Sequence, residues 1–196
     1  MKDMFRIITS NKGRHIILII LVLIVIAIYI VSSMHRVRTN NIIILTFYEN
    51  VRNIFDGYSN VSIFILKSDC LNYYYKANTV VILTHTANLQ NKTLLIALVD
   101  RPDVFTIYGI NISGQIYKAI PISDLASKIS ADKVVIIGCN IRKDLIYDVF
   151  KDKTKEVYYY KCPADPEQAL DDLRKIVAGK IPEDKCLEHI IYESSR

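Results

Sequence analysis

Hydrophobic and polar positions divide the chain into two unlike parts. Ile16 to Val31 reads IILIILVLIVIAIYIV, with the Tyr29 hydroxyl its only polar side-chain group. Ser32, Ser33 and Met34 extend this run to about 19 residues, close to the ~20 that carry a helix across a bilayer core of ~30 Å. A helix is the one single segment that satisfies its own backbone there. From Asn40 onward, short apolar runs alternate with amphipathic stretches. Strands are predicted at Ile42–Tyr48, Val61–Leu66, Thr79–Thr84, Val134–Ile137 and Val157–Tyr160, most of them near-continuously apolar, as strands covered on both faces are. Helices are predicted over Glu49–Phe55, over a segment capped by Ser123, over Lys143–Phe150, and over Pro166–Ala178. The last has Asp165 at its N-cap and Gly179 just past its end. Between them, Asn88–Ile122 reads as a β-rich insertion. It is expected to contain a hairpin of Leu94–Val99 with Val104–Tyr108 about Asp100-Arg101-Pro102-Asp103, then a Ser113-Gly114 turn leading to a strand over Gln115–Ile120. The tail, Pro182–Arg196, reads as one short helix, and the Tyr73–Tyr75 and Tyr158–Tyr160 triplets as one strand-like and one loop feature. No internal repeat of 20–50 residues is present.

This alternation predicts an α/β fold: a mostly parallel sheet with helices on both faces and a β-hairpin insertion, preceded by one transmembrane helix. The expected organisation is a cytoplasmic tail over 1–15, a membrane span over 16–34, a linker over 35–40 and one α/β domain over 41–196. With 196 residues, 51% of them hydrophobic, the chain supports one domain core and excludes general disorder.

Charge then sets the direction of the span. Lys2, Arg6, Lys12 and Arg14 precede the apolar run, and Arg36 and Arg38 follow it. This excess predicts the N-terminus in the cytoplasm and the C-terminal domain outside it. A cleaved signal peptide is the rival, but the run is long for one and no Ala-x-Ala follows. The chain has 25 Lys plus Arg against 20 Asp plus Glu, a net +5. Residues 1–39 hold six of those bases and a single acid, Asp3, so 40–196 carry 19 of each. A neutral domain offers no basic surface for phosphates, which removes nucleic acid as a partner. The lipid bilayer, through residues 16–34, and a peptide or protein are the expected partners.

Several sites are absent from the sequence: a Gly-x-Gly-x-x-Gly loop, a Walker loop, a Gly-x-Ser-x-Gly elbow and Cys-x-x-Cys. The four histidines are too scattered for a metal motif, so neither cofactor nor metal is expected. Two residues stand out. His85 follows the strand ending at Thr84, and Cys139 follows Val134–Gly138. In an open parallel sheet the carboxyl ends of neighbouring strands share a rim, and sites form beside it. If these strands are neighbours, the imidazole takes the thiol proton and makes Cys139 a nucleophile for acyl transfer. Backbone N–H groups around Cys139 and Thr86 are the expected oxyanion donors, and Gly138 is expected to let substrate approach closely. Each residue alone has an ordinary reading, the Cys as a small buried hydrophobe and the His as a hydrogen-bonded boundary residue.

The stretches VVILTHT (Val80–Thr86), ISGQIYKAIPISDLASKI (Ile112–Ile129) and KVVIIGCN (Lys133–Asn140) resemble the core of the caspase-like cysteine peptidase superfamily, which includes CHAT and clostripain-like domains. The caspase pattern places a His roughly 50 residues before the Cys, and His85 precedes Cys139 by a similar interval. The resemblance implies a caspase-like fold, a general base at His85 and a nucleophile at Cys139. Thr86 stands where the family has Gly after the His, Asn140 follows the Cys, and the caspase signature around the nucleophile is missing. Asp144 is a position to test for substrate binding. The expected function is therefore that of a membrane-anchored cysteine peptidase. The alternatives are a catalytically inactive, membrane-tethered interaction domain on the same scaffold, and an α/β domain unrelated to caspases.

Cys70, Cys162 and Cys186 allow three pairings that leave Cys139 free. The sequons at Asn60, Asn91 and Asn111 are compatible with an external domain.

Overall fold

The computed structural model describes residues 19–25, 36–38, 41–67, 69–89, 91–97, 108–112 and 114–192. The chain divides into two compact units, Met1–Arg36 and Val37–Arg196. In the first, residues 19–25 are helical with exposed apolar side chains. Most of the expected span over 16–34 lies outside the described residues, and among the described residues no helix is long and apolar enough to cross a membrane.

The second unit is an α/β domain. Its elements in chain order are β1 (Arg36–Arg38, which begins at the division), β2 (Ile42–Thr46), α1 (Val51–Ile54), β3 (Val61–Ile65), a 3-10 turn (Cys70–Asn72), β4 (Tyr74–Leu83), β5 (His85–Leu89), β6 (Lys92–Ala97), β7 (Tyr108–Ile112), β8 (Gln115–Pro121), α2 (Ile122–Ala126), β9 (Ile129–Ile137), α3 (Lys143–Phe150), β10 (Glu156–Tyr160), α4 (Pro166–Val177) and β11 (Leu187–Ile191). The main sheet runs β11-β10-β9-β4-β2-β3, with β1 against β4 off this path. The five strands from β3 to β10 are parallel, and β11 is antiparallel to β10.

This order is that of a doubly wound sheet, and the clusters on its two faces show why the strands are apolar throughout. On one face Ile43, Leu45, Val80, Ile82, Val134 and Ile136 pack with α2, α3 and the 3-10 turn. On the other, Ile42, Ile44, Val81, Leu83, Val135 and Ile137 pack with α1 and α4. Successive residues point to opposite faces, so a strand buried on both sides needs an apolar residue at every position. Each such Val, Leu or Ile contributes about 1.5–3 kcal/mol of transfer free energy.

A second sheet, β5-β6-β8-β7, is antiparallel throughout and hangs from the end of β4 through a bend at Thr84. Leu95, Ala97 and Ile120 join it to the main core, while Leu94, Ile96 and Ala119 form a small cluster on its other side.

The structure differs from the sequence expectation in five places. Among the described residues, the expected hairpin of Leu94–Val99 with Val104–Tyr108 is not seen: β6 pairs with β5 and β8, and β7 pairs with β8. Residues 98–107 of that expected hairpin lie outside the described residues. The turns that close hairpins are the β5–β6 turn near Asn91 and the β7–β8 turn at Gly114, whose φ of 87° suits glycine. The tail forms β11 instead of a helix, because Ile190 is buried against the open edge of β10 while Ile191 and His189 alternate outward. Ser123 lies inside α2, which is capped by Pro121 with no side-chain hydrogen bond. Both Tyr triplets contribute to strands, Tyr74 and Tyr75 to β4 and Tyr158–Tyr160 to β10. Finally, β4 stops at Leu83, so His85 opens β5 and does not close β4. The α4 cap is as expected: Asp165 accepts from the N–H groups of Glu167 and Gln168 at 3.0 and 3.1 Å.

Candidate functional site

The carboxyl ends of β2, β4, β9 and β10 lie side by side, and the paired registers align the residues just beyond them. Leu83 pairs with Thr46 on one side and with Ile137 on the other. Two residues beyond each stand Tyr48, His85 and Cys139. On the next strand Tyr159 pairs with Ile136, and past the end of that ladder the Asn140 N–H donates to Cys162 O at 3.3 Å. The result is a row of Tyr48, His85, Cys139 and Cys162 along one rim. It begins at β2 and β4, where the connections diverge to opposite sides of the sheet, the place where α/β sheets open a crevice. His85 and Cys139 therefore lie just past the ends of neighbouring strands, β4 and β9.

Thr84 and Thr86 tie the strand ends together past the ladder. The Thr84 N–H donates to Ile137 O at 3.1 Å, and its hydroxyl donates to Ile96 O at 3.1 Å. The Thr86 hydroxyl accepts from the Cys139 N–H at 2.7 Å and donates to the Cys139 carbonyl at 2.6 Å. One side chain thus holds both backbone groups of Cys139. Asn88 adds a bond from its amide to Asn140 O, and Asn140 adopts φ 53°, a turn Asn tolerates.

These contacts correct two expectations. The Cys139 N–H is not a free oxyanion donor, because Thr86 occupies it. Gly138 does not face open space for substrate. A Cβ there would lie 2.6 Å from Thr86 Cγ2, 2.7 Å from Thr86 Oγ1 and 3.2 Å from Thr84 O. Glycine at 138 is what lets the Thr86 side chain reach Cys139.

His85 is half-buried, and burial lowers its pKa below the ordinary 6.5, which favours the neutral imidazole at pH 7. Its ring meets the Tyr48 ring edge-on at 6.0 Å between centroids. Among the described residues, no hydrogen bond joins the His85 ring to the Cys139 thiol, which is free and half-buried. Tyr48 was not singled out in the sequence. Burial pushes its phenol up to about 12, the His85 backbone opposes this, and the nearby Cys139 adds to it. The phenol thus lies beside both groups in protonated form. Its position at the end of an apolar strand neighbouring that of His85 is the signal that marks it.

Asp144 belongs elsewhere. It stands in the first turn of α3, where a hydrogen bond from the Arg142 guanidinium holds its exposed carboxyl below the usual range. Of the remaining cysteines, Cys162 and Cys186 form a disulfide. Cys70 is buried, and burial pushes its thiol up to about 11. No group of His, Cys, Asp and Glu among the described residues is arranged to hold a metal ion.

The arrangement is a thiol, an imidazole and a phenol on one rim, with the thiol's backbone clamped. A thiol and an imidazole are the group types that serve as nucleophile and proton carrier where they meet. No protein-family model and no curated protein sequence matches this chain.

Proposed function

We propose that this chain is a single-pass membrane protein whose α/β domain is a caspase-like cysteine peptidase. The Cys139 thiolate attacks a peptide carbonyl, and His85 carries the proton to the leaving amine. Water then hydrolyses the thioester. The observation that carries the reading is the parallel pairing of β4 with β9, whose ends at Leu83 and Ile137 each precede a proposed dyad residue, His85 and Cys139, by two positions. The Cys162–Cys186 disulfide supports a domain outside the cytoplasm, because disulfides persist in oxidising compartments. The charge excess before residues 16–34 supports the same orientation.

A second reading, the inactive tethered interaction domain, is favoured by one contact: the Thr86 hydroxyl on the Cys139 N–H. An active site needs that donor released when substrate binds. Labelling with a thiol-reactive peptide electrophile separates the two. A peptidase labels at Cys139, loses the label in Cys139→Ala, and labels faster in Thr86→Gly, which restores the family residue and frees the N–H. One oxyanion donor is worth about 10²–10³ in rate, so a gain approaching that size is expected. Labelling of Cys139 no faster than that of an unstructured thiol peptide, and unchanged by Thr86→Gly, supports the inactive domain. Protease accessibility of the domain in sealed vesicles tests the orientation, and protection from the outside reverses it.

A further inference from the structure

Cys139 and Cys162 follow the ends of neighbouring parallel strands, each three residues past the last paired positions, Ile136 and Tyr159. The chain keeps them close beyond the ladder: the Asn140 N–H donates to Cys162 O at 3.3 Å, and the Ile141 N–H to Tyr160 O at 2.9 Å. Neighbouring strands lie about 4.7–4.9 Å apart, and disulfides span Cα separations of ~4.4–6.8 Å; the Asn140–Cys162 backbone bond holds the two segments together at that scale past the strand ends. Cys162 is at present joined to Cys186. All three cysteines are half-buried, whereas Cys70 is sealed in the core. We propose that Cys139, Cys162 and Cys186 form a thiol–disulfide exchange unit. In it the Cys139 thiolate attacks the Cys162 sulfur, closing a Cys139–Cys162 bond and expelling the Cys186 thiolate.

The step is balanced. One S–S bond forms as one breaks, and no external oxidant or reductant is consumed. It is reversible because Cys186 stays in place after release: the Lys161 N–H donates to Cys186 O at 2.9 Å, the Cys186 N–H to Asp184 Oδ1 at 2.7 Å, and β11 stays paired with β10. The consequence for the rim is that Cys139 has two states. It is a free thiol when Cys162 bonds Cys186, and it is masked when Cys162 bonds Cys139. This requires only that Cys139 be a thiol, so it goes beyond the peptidase reading and stands or falls separately from it. Joined to that reading, it makes nucleophile availability depend on the thiol poise around the domain.

The test uses the full-length chain with Cys186→Ser, incubated in mixed reduced and oxidised glutathione, quenched by alkylation and digested with trypsin without reduction. Here oxidised glutathione is the oxidant: it caps Cys162, and Cys139 displaces the glutathione thiolate. Cleavage after Lys133, Arg142, Lys161 and Arg174 separates Cys139 in peptide 134–142 from Cys162 in peptide 162–174. The expected main product is the 134–142 peptide linked to 162–174, and it is lost in Cys139→Ser/Cys186→Ser. Cys162 recovered as a glutathione mixed disulfide with Cys139 free overturns the proposal. The unmodified chain, titrated with limiting dithiothreitol, guards against a folding defect in the variant. There the Cys139–Cys162 pair is expected as an intermediate, and reduction of Cys162 and Cys186 together without it overturns the proposal. Failure of Cys139 to react with a peptide electrophile, by contrast, bears on the peptidase reading alone.

Discussion

Gly138→Ala is the sharpest perturbation of the rim. The added Cβ meets Thr86 Cγ2 at 2.6 Å, Thr86 Oγ1 at 2.7 Å and Thr84 O at 3.2 Å. Thr86 cannot swing aside cheaply, because its β-branched side chain has few rotamers and its hydroxyl is held by the Cys139 N–H and carbonyl. Overpacking of this kind costs about 1–3 kcal/mol, and two lost hydrogen bonds add about 0.5–1.5 kcal/mol each. A loss of roughly 3 kcal/mol is expected. At about 2–4 °C per kcal/mol for a chain of this size, that lowers Tm by roughly 6–12 °C. The chain has no Trp, so far-UV circular dichroism in urea or on heating is the assay. In a Thr86→Gly background the two closest atoms are gone and only the Thr84 contact at 3.2 Å remains. There the same Gly138→Ala change is expected to cost less than about 1 kcal/mol, a coupling that non-additivity between touching residues allows. Equal losses in the two backgrounds would refute the Thr86 clamp.

Other outcomes rest on the buried polar groups. Tyr160 donates to Asp172, which is fully buried in α4 and also accepts from Gln168 at 2.9 Å and Lys175 at 3.2 Å. Asp172→Leu leaves the Tyr160 hydroxyl without that acceptor and is expected to cost about 2–3 kcal/mol. Tyr160→Phe in the same chain recovers part of this, as urea midpoints will show. His85 has its pKa lowered by burial, so the unfolded chain binds more protons between that lowered value and ~6.5. Stability therefore falls as pH drops through about 6.5 and reaches its full loss below the folded-state pKa. His85→Gln is expected to flatten that acid limb, and an unchanged limb in pH-dependent melts contradicts it.

The parallel strands were legible because each carries apolar residues on both faces, as in Val80–Leu83 and Val134–Ile137. The long amphipathic helix α4 was legible from Asp165, Pro166 and Gly179. The insertion was not, because hairpin pairing between β5, β6, β7 and β8 is settled by partners far apart in sequence. Residues such as Leu94 and Ile120 read alike in any pairing order. β11 was hidden because only Ile190 of its strand is deeply buried, and an edge strand with one covered face carries a weak pattern. At the rim, His85 and Cys139 were visible as polar interruptions after apolar runs. Their placement past the ends of neighbouring strands required the strand order. The hold of Thr86 on Cys139, across 53 residues, leaves no periodic trace in the sequence.

The most direct test of Cys139 as a nucleophile served by His85 is the pH dependence of its labelling by a peptide electrophile, read by mass spectrometry on peptide 134–142, with and without His85→Ala. General-base assistance is worth about 10²-fold or more. The expected result is a loss of that order at pH 7, together with disappearance of a rate limb below about pH 6.5, where the imidazole of His85 titrates. Profiles that superimpose within about twofold from pH 5 to 9 contradict the dyad.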